Sequence, residues 1–192
     1  MNKDFWETCS LAFAHIAFPK EYQTEAEIIE QWEREFLPRY DWAGKTVVDY
    51  GCGGAFLGEC LLKRGIGKYI GLDIAERSVG AARGRLPEAT IKLLPADIRE
   101  FKADILVCQA VMFHMSEPDL NGFLAELNES GIPEIVLQWR HGHSTWFDAS
   151  ERLRCFTCWR DIREALPSYE KAWLRPVGRC DARYGGFRLC AT

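Results

Sequence analysis

The sequence predicts a doubly wound α/β fold, in which a mostly parallel sheet is covered by helices on both faces. The first reason is a regular alternation of short apolar segments with amphipathic segments between residues 45 and 139. The second reason is that two apolar segments end in an acid, Asp49 and Asp73, and that the first continues into the glycine-rich turn 51–54. Near-continuous Val, Ile and Leu strands of this kind are typical of parallel sheets that are buried on both faces.

The core elements follow from the spacing of the apolar residues. We expect strands over 45–50, 68–73, 89–94, 103–109 and 134–139. We expect helices over 55–65, 75–85 and 117–129, and a short turn through Asp97 and Phe101. Ser116 is a suitable N-cap for the last of these helices, with Asp119 at the third helical position as a variant capping box.

The first part of the chain is predicted to be a helical cap over residues 1–43, followed by the core of the same single domain over 44–192. Within the cap, a helix over 26–37 places its apolar residues on one face, and Pro38 ends it. These apolar residues are Ile28, Ile29, Trp32, Phe36 and Leu37. The cap either closes over a ligand or covers the edge of the sheet.

After residue 140 the pattern changes from alternating strands and helices to a helix followed by a hairpin. The helix is expected over 157–166. Two antiparallel strands, 169–175 and 187–191, follow it. The connection between these strands is expected to contain Pro176, Gly178, Gly185 and Gly186.

Composition bounds the class of protein. A chain of 192 residues with 47% hydrophobic residues fits one domain with a substantial core, and no apolar run approaches the roughly 20 residues of a membrane helix. The apolar segment 10–18 follows acidic residues rather than a cationic start, so we expect a cytoplasmic protein with reduced cysteines. The net charge of −4 argues against a nucleic-acid partner, although basic residues are enriched after Trp139.

The spacing of the glycine turn favours S-adenosylmethionine (SAM) over a dinucleotide. A dinucleotide turn needs a small residue at the helical position that Phe56 occupies. Asp49, two residues before Gly51, would repel a pyrophosphate but suits the ammonium and sulfonium groups of SAM. The pattern Asp-x-Gly-Cys-Gly-Gly resembles the first motif of class I SAM-dependent methyltransferases. Ala55 departs from it, because the family often has a third glycine there, and we expect only a slight change in the turn.

Three further segments carry this resemblance, which runs from about Lys45 to the C-terminus. Asp73 occupies the place of the ribose-binding acid, and Pro95-Ala96-Asp97-Ile98 resembles the motif whose acid holds the adenine amino group and whose next N–H holds a ring nitrogen. The segment 104–114 resembles the fourth strand and the residues just beyond it. The resemblance implies a seven-stranded sheet with an antiparallel seventh strand. It also implies SAM contacts at Asp49, Gly51, Cys52, Gly53, Asp73, Ile74, Asp97, Ile98, Gln109 and Ala110.

The segment after the fourth strand favours a small-molecule methyl acceptor. Enzymes that methylate amino groups of bases resemble Asn/Asp-Pro-Pro-Tyr/Phe in this segment. This chain has Gln-Ala-Val-Met-Phe-His over residues 109–114 instead. His114 is a candidate general base, with a packing role as the alternative. His141 and His143 follow the fifth strand at the ligand-binding edge of such sheets and are further catalytic candidates. Arg140 lies beside them in the sequence, so an anionic acceptor stays open as an alternative to a neutral one.

Other interpretations stay open beside this one. A methyltransferase of RNA or protein would be favoured if Arg175, Arg179, Arg183 and Arg188 form one patch. A binding protein with the same fold and no chemistry is a third possibility, and Phe56 argues against a NAD-linked dehydrogenase. Cys155 and Cys158 have a zinc-like spacing, but burial in a helix explains them as well, so we predict no metal. No motif indicates an oligomeric state.

Overall fold

The computed structural model of the chain describes residues 3, 7, 25–140, 162, 164–177 and 182–190. These residues belong to two compact units, one within 2–96 and the other within 97–192. Most of the helix predicted over 157–166 lies outside the described residues. No helix in the described ranges has the length and apolar character needed to cross a membrane.

The unit within residues 2–96 contains three parallel strands. Its elements are α1 (Glu25–Glu35), a 3-10 helix (Leu37–Arg39), β1 (Thr46–Tyr50), α2 (Phe56–Lys63), β2 (Lys68–Asp73), α3 (Glu76–Arg85) and β3 (Thr90–Leu93). β2 pairs in parallel with both β1 and β3. Val47, Val48, Ile70 and Leu72 are fully buried, as the apolar strands predict. The acids at the ends of β1 and β2 therefore lie at the same edge of the sheet.

Three of the five apolar residues predicted for one face of the cap helix are buried, one of them in α1 and two just after it. Trp32, Phe36 and Leu37 are buried. Trp42 donates a hydrogen bond from its indole N–H to the carbonyl of Leu37 over 2.6 Å, and its ring meets that of Phe36 edge-on. Pro38 lies in the 3-10 helix that follows α1, so the regular helix ends before it, as expected. Whether the cap closes over a ligand stays a prediction.

The unit within residues 97–192 contains four strands. Its elements are a 3-10 helix (Ile98–Phe101), β4 (Ile105–Cys108), a second 3-10 helix (Met112–His114), α4 (Glu117–Glu129), β5 (Glu134–Arg140), β6 (Tyr169–Val177) and β7 (Ala182–Leu189). β4 and β5 are parallel, and β7 runs antiparallel to β5 on one side and to β6 on the other. Ser116 caps α4 as predicted, since its Oγ accepts the N–H of Asp119 over 3.4 Å.

The C-terminal hairpin forms, but the prediction of its connection was wrong. Pro176 lies within β6, and Gly185 and Gly186 lie within β7 rather than in the loop. Both glycines are buried, and β7 pairs on both sides at these positions, so the neighbouring strands hold the backbone extended. Pro176 is tolerated because β6 pairs with β7 on one side, where a missing N–H need not break the ladder. Gly178 lies outside the described residues.

Candidate functional site

The glycine turn after β1 is fastened to the end of β2 by backbone hydrogen bonds. The N–H groups of Gly51 and Cys52 donate to the carbonyl of Leu72 over 2.7 and 2.9 Å. Gly51 and Gly53 have φ values of 81° and 52°, in the left-handed region that glycine adopts readily. Ala55 keeps a left-handed φ of 59° where the family often has glycine, so the turn retains its shape at a strain of roughly 1 kcal/mol.

Asp73 joins this turn to the helix that follows β2. Its two carboxylate oxygens accept the N–H groups of Gly53 and Ala75, each over 2.9 Å. The side chain is 8% exposed, and burial raises its pKa while these backbone hydrogen bonds act in the opposite direction. A carboxylate oxygen has two lone pairs, so each oxygen keeps one for a ribose hydroxyl. These contacts with backbone N–H groups are therefore compatible with the predicted ribose role.

Asp49 is a buried carboxyl group with a tyrosine as its partner. It is 3% exposed, and the hydroxyl of Tyr69 donates to its Oδ2 over 2.6 Å. Burial raises its pKa to about 7; the Tyr69 hydrogen bond opposes this shift, and the charge of Asp73 adds to it. Within the described part of the chain, no basic side chain forms an ion pair with Asp49 or Asp73. The two strand ends therefore form a desolvated site that favours a bound cation.

The side chain of Cys52 packs within the turn. Its side chain is buried, and burial raises the pKa of the thiol, so the thiol stays protonated. A Cβ at Gly71, in the middle of β2, would lie 2.9 Å from Cys52 Sγ and 2.9 Å from Ile91 Cδ1. The glycine at position 71 thus leaves the space that the Cys52 side chain fills.

The described residues of the N-terminal segment contact the start of α3. The carboxylate of Glu7 accepts the N–H groups of Glu76 and Arg77 over 2.6 and 3.2 Å, and Lys3 pairs with Glu76 over 3.0 Å. A carboxylate at a helix N-terminus is stabilised by the unpaired N–H groups there. Part of the predicted cap therefore lies at the helix that begins just after Asp73.

The groups expected to recognise adenine, Asp97 and Ile98, both have partners within the chain. Asp97 accepts the N–H of Arg99 over 2.9 Å and pairs with its guanidinium over 2.8 to 3.1 Å, which lowers the pKa of the carboxyl group. The N–H of the buried Ile98 donates to Glu126 Oε1 over 2.8 Å. Their adenine role stays a prediction, and it requires these contacts to be shared or exchanged.

The segment after β4 is held by a glutamine on β5. Ala110 has a left-handed φ of 55°, and its N–H donates to Gln138 Oε1 over 2.8 Å. Gln109 is half-buried and Ala110 is exposed. Since parallel β4 and β5 end at the same edge, Gln138 is well placed to fix the backbone that is expected to line the cofactor.

His114 lies in the second 3-10 helix and is 6% exposed. Such burial favours the packing alternative, and the general-base role stays a prediction. His141 and His143 lie outside the described residues, as do Cys155 and Cys158. Among the residues that are described, no group of three His, Cys, Asp or Glu side chains could hold a metal ion.

Four residues of this region were missed by sequence reasoning: Glu7, Tyr69, Glu126 and Gln138. Tyr69 reads as an ordinary apolar strand residue, and the other three carry no motif. One signal accompanies Tyr69, because Gly58 on α2 faces its ring, and a Cβ at Gly58 would lie 2.6 Å from Tyr69 Cζ. A glycine inside a helix can mark the close approach of a large side chain.

Comparison with known sequences identifies the domain. Residues 47–131 match the family described as a methyltransferase domain. A ubiquinone biosynthesis O-methyltransferase of Aromatoleum aromaticum is 33% identical over 127 residues, which are 53% of this chain and 54% of that protein. A ribosomal protein L11 methyltransferase of Vibrio cholerae is 34% identical over 157 residues, which are 76% of this chain and 48% of that protein. The chain spans about half the length of these curated relatives.

Comparison with solved structures identifies the fold. The magnesium protoporphyrin IX methyltransferase of Synechocystis PCC 6803, solved with bound SAH, has a TM-score of 0.74 and 16% identity, with 98% of each chain covered. This likeness and the strands described above confirm the predicted seven-stranded, mostly parallel sheet with an antiparallel seventh strand. The match to the methyltransferase domain covers the glycine turn and both strand-end acids. Residues 47–131 therefore form a methyltransferase domain, and the chain has the fold of the class I SAM-dependent methyltransferases, whose cofactor is S-adenosylmethionine.

Proposed function

We propose that this protein transfers a methyl group from SAM to a small-molecule acceptor. The observation that supports this most directly is the pair of buried carboxyl groups, Asp49 and Asp73, beside the turn 51–53. Burial disfavours two negative charges in one place, and a ligand with ammonium and sulfonium groups would offset that cost. The pyrophosphate of a dinucleotide would add to it.

The turn also has room for a ligand. Gly53 is half-exposed, and a Cβ built on it would meet nothing within 4 Å. We assign the methionine end of SAM to Asp49 and the turn residues Gly51, Cys52 and Gly53. The ribose is assigned to Asp73 and Ile74, and the adenine to Asp97 and Ile98, with Gln109 and Ala110 lining the cofactor.

For methyl transfer, the protein mainly has to position the acceptor and the cofactor. SAM supplies a methyl group that its sulfonium already activates. The protein holds the acceptor in line with that methyl group and excludes water, which favours a reaction in which charge is dispersed. An acceptor that must lose a proton needs a base, and His114, His141 and His143 are our candidates for it. Alanine at the residue that acts as base should lower turnover and leave SAM affinity unchanged.

A protein acceptor is the second candidate. It is favoured by the Vibrio cholerae relative, a ribosomal protein L11 methyltransferase that matches 76% of this chain. The O-methyltransferase of Aromatoleum aromaticum favours a small molecule instead. Incubation with labelled SAM, followed by separation of proteins, RNA and metabolites, distinguishes these acceptors. Label in the metabolite fraction supports our first proposal, and label in protein supports the second.

Calorimetric titration with SAM and SAH tests the cofactor assignment, with NADH as the control ligand. Asp73→Asn removes the charge of the carboxyl group and keeps its shape. Glu88→Gln makes the same chemical change at an exposed position in the same unit. We expect both sulfur nucleosides to bind the wild type and the Glu88 variant, and to bind the Asp73 variant at least about tenfold more weakly. Binding of NADH in place of SAM would contradict the proposal.

A further inference from the structure

Tyr69 contacts the Asp49 carboxyl group from the neighbouring strand. In the parallel register of β1 and β2, Tyr69 pairs with Val47 and Asp49 pairs with Gly71. Side chains two residues apart on a strand share a face, so Tyr69 and Asp49 are diagonal neighbours on one side of the sheet. The Tyr69 side chain is 2% exposed, and its hydroxyl lies 2.6 Å from Asp49 Oδ2.

The aromatic ring of Tyr69 packs closely against Gly58 of α2. A Cβ at Gly58 would lie 2.6 Å from Tyr69 Cζ and 2.7 Å from Leu86 Cδ1. The ring therefore fills the space that any other residue at position 58 would need. Packing of this density restricts the ring and holds its hydroxyl against Asp49.

The Tyr69 hydroxyl acts only as the donor in its hydrogen bond with Asp49. Burial raises the pKa of Tyr69 well above its usual value, so the phenol stays protonated and donates to the carboxylate. The other groups that act on this site are Asp73 at the end of β2 and Cys52 in the turn, and neither is basic. A donor that favours the ionised carboxylate opposes the effect of burial. Asp49 Oδ1 has no partner among the residues that the structure describes.

We infer that Tyr69 is a positioning residue for the cofactor: its hydroxyl holds Asp49 through Oδ2 as a carboxylate and leaves Oδ1 for the positively charged methionine end of SAM. This inference rests on the proposed function. It assigns to a strand residue with no motif the task of stabilising the charge of the cation-binding acid. Tyr69 acts through Asp49 and need not touch the cofactor.

Tyr69→Phe tests the inference, because it removes the hydroxyl and keeps the ring. The matched control is Tyr169→Phe, which also removes a buried and hydrogen-bonded hydroxyl, in the unit within 97–192. The dissociation constants of SAM and SAH are measured by calorimetry from pH 5.5 to 9, and thermal unfolding checks that each variant is folded.

For the wild type, we expect SAM affinity to rise with pH through about 7, where Asp49 ionises. In Tyr69→Phe the midpoint should rise by about one pH unit, since a hydrogen bond to a charged group stabilises the charge by about that much. At a pH below both midpoints, Tyr69→Phe should bind SAM about tenfold more weakly than the wild type does at the same pH. This difference should shrink toward pH 9. Tyr169→Phe should keep the wild-type profile.

A wild-type midpoint in Tyr69→Phe, or an equal loss of affinity at every pH, would show that the ring only packs and would overturn the inference. Failure of the wild type to bind SAM at any pH would overturn the proposed function with it, so the two failures are distinguishable. A second measurement keeps the hydroxyl: replacing tyrosine by fluorotyrosine throughout the chain makes the hydroxyl a stronger donor and should lower the midpoint. An unchanged midpoint in that protein would also contradict the inference.

Discussion

Gly71, in the middle of β2, is a position where one added methyl group should have a large and local effect. In Gly71→Ala the new Cβ would lie 2.9 Å from Cys52 Sγ, 3.2 Å from Cys52 Cβ and 2.9 Å from Ile91 Cδ1. The end of the Ile91 side chain can rotate away. Cys52 cannot move without shifting the turn, because its N–H is bonded to the carbonyl of Leu72 over 2.9 Å.

The free energy of unfolding should therefore fall. Overpacking of a buried site costs roughly 1–3 kcal/mol, and replacing a strand glycine by alanine returns about 0.5 kcal/mol of that. We expect a net loss of about 0.5–2.5 kcal/mol, measured by urea unfolding, and a Tm lower by roughly 1–10 °C. Gly80→Ala is the control, since a Cβ at this exposed position of α3 meets nothing within 4 Å. It should stabilise the protein by about 0.5–1 kcal/mol.

A double-mutant cycle tests the cause of this loss. Cys52→Ala removes the sulfur that Gly71→Ala would strike, so the double variant should be at least about 1 kcal/mol more stable than the sum of the single changes predicts. Purely additive costs would show that the strain does not lie between these two residues. A Gly71→Ala protein as stable as the wild type would refute the packing argument altogether.

Three further predictions concern other contacts. Asp49→Asn should be more stable than the wild type at pH 8, by at most about 4 kcal/mol. The raised pKa of about 7 means that the wild type loses stability as the pH rises from about 4 to 7. Urea unfolding at pH 4 and pH 8 checks this, and an advantage of the variant that does not grow with pH would contradict it. Tyr169→Phe should lower the unfolding free energy by about 1–3 kcal/mol, because the Tyr169 hydroxyl donates to the carbonyl of Ile132 over 2.8 Å in a buried site. A change below about 0.5 kcal/mol would be inconsistent with that bond. Gln138→Ala should weaken SAM binding by about 2- to 10-fold in calorimetry, since the Ala110 N–H loses its acceptor, and unchanged affinity would separate this loop from the cofactor.

Local sequence determined the elements of the core and the position of the glycine turn. The strands and helices between Thr46 and Arg140 lie close to their predicted bounds, because apolar periodicity, Ser116 and the glycines act over a few residues. The two strand-end acids could be recognised as well, since their spacing from Gly51 and Gly53 is a property of the chain itself. The burial of Asp49 and Asp73 then follows from a parallel sheet covered on both faces.

Tertiary structure decided which side chains meet. The contact of Tyr69 with Asp49 depends on the register of β1 and β2, and that of Gln138 with Ala110 depends on the pairing of β4 and β5. The extent of β7 through Gly185 was likewise decided by strands on both of its sides. Such pairs lie tens of residues apart, so no short-range pattern encodes them. By itself, the sequence determined the methyltransferase-like core and the two acids that we propose to bind the cofactor, while packing decided how those acids are held and charged.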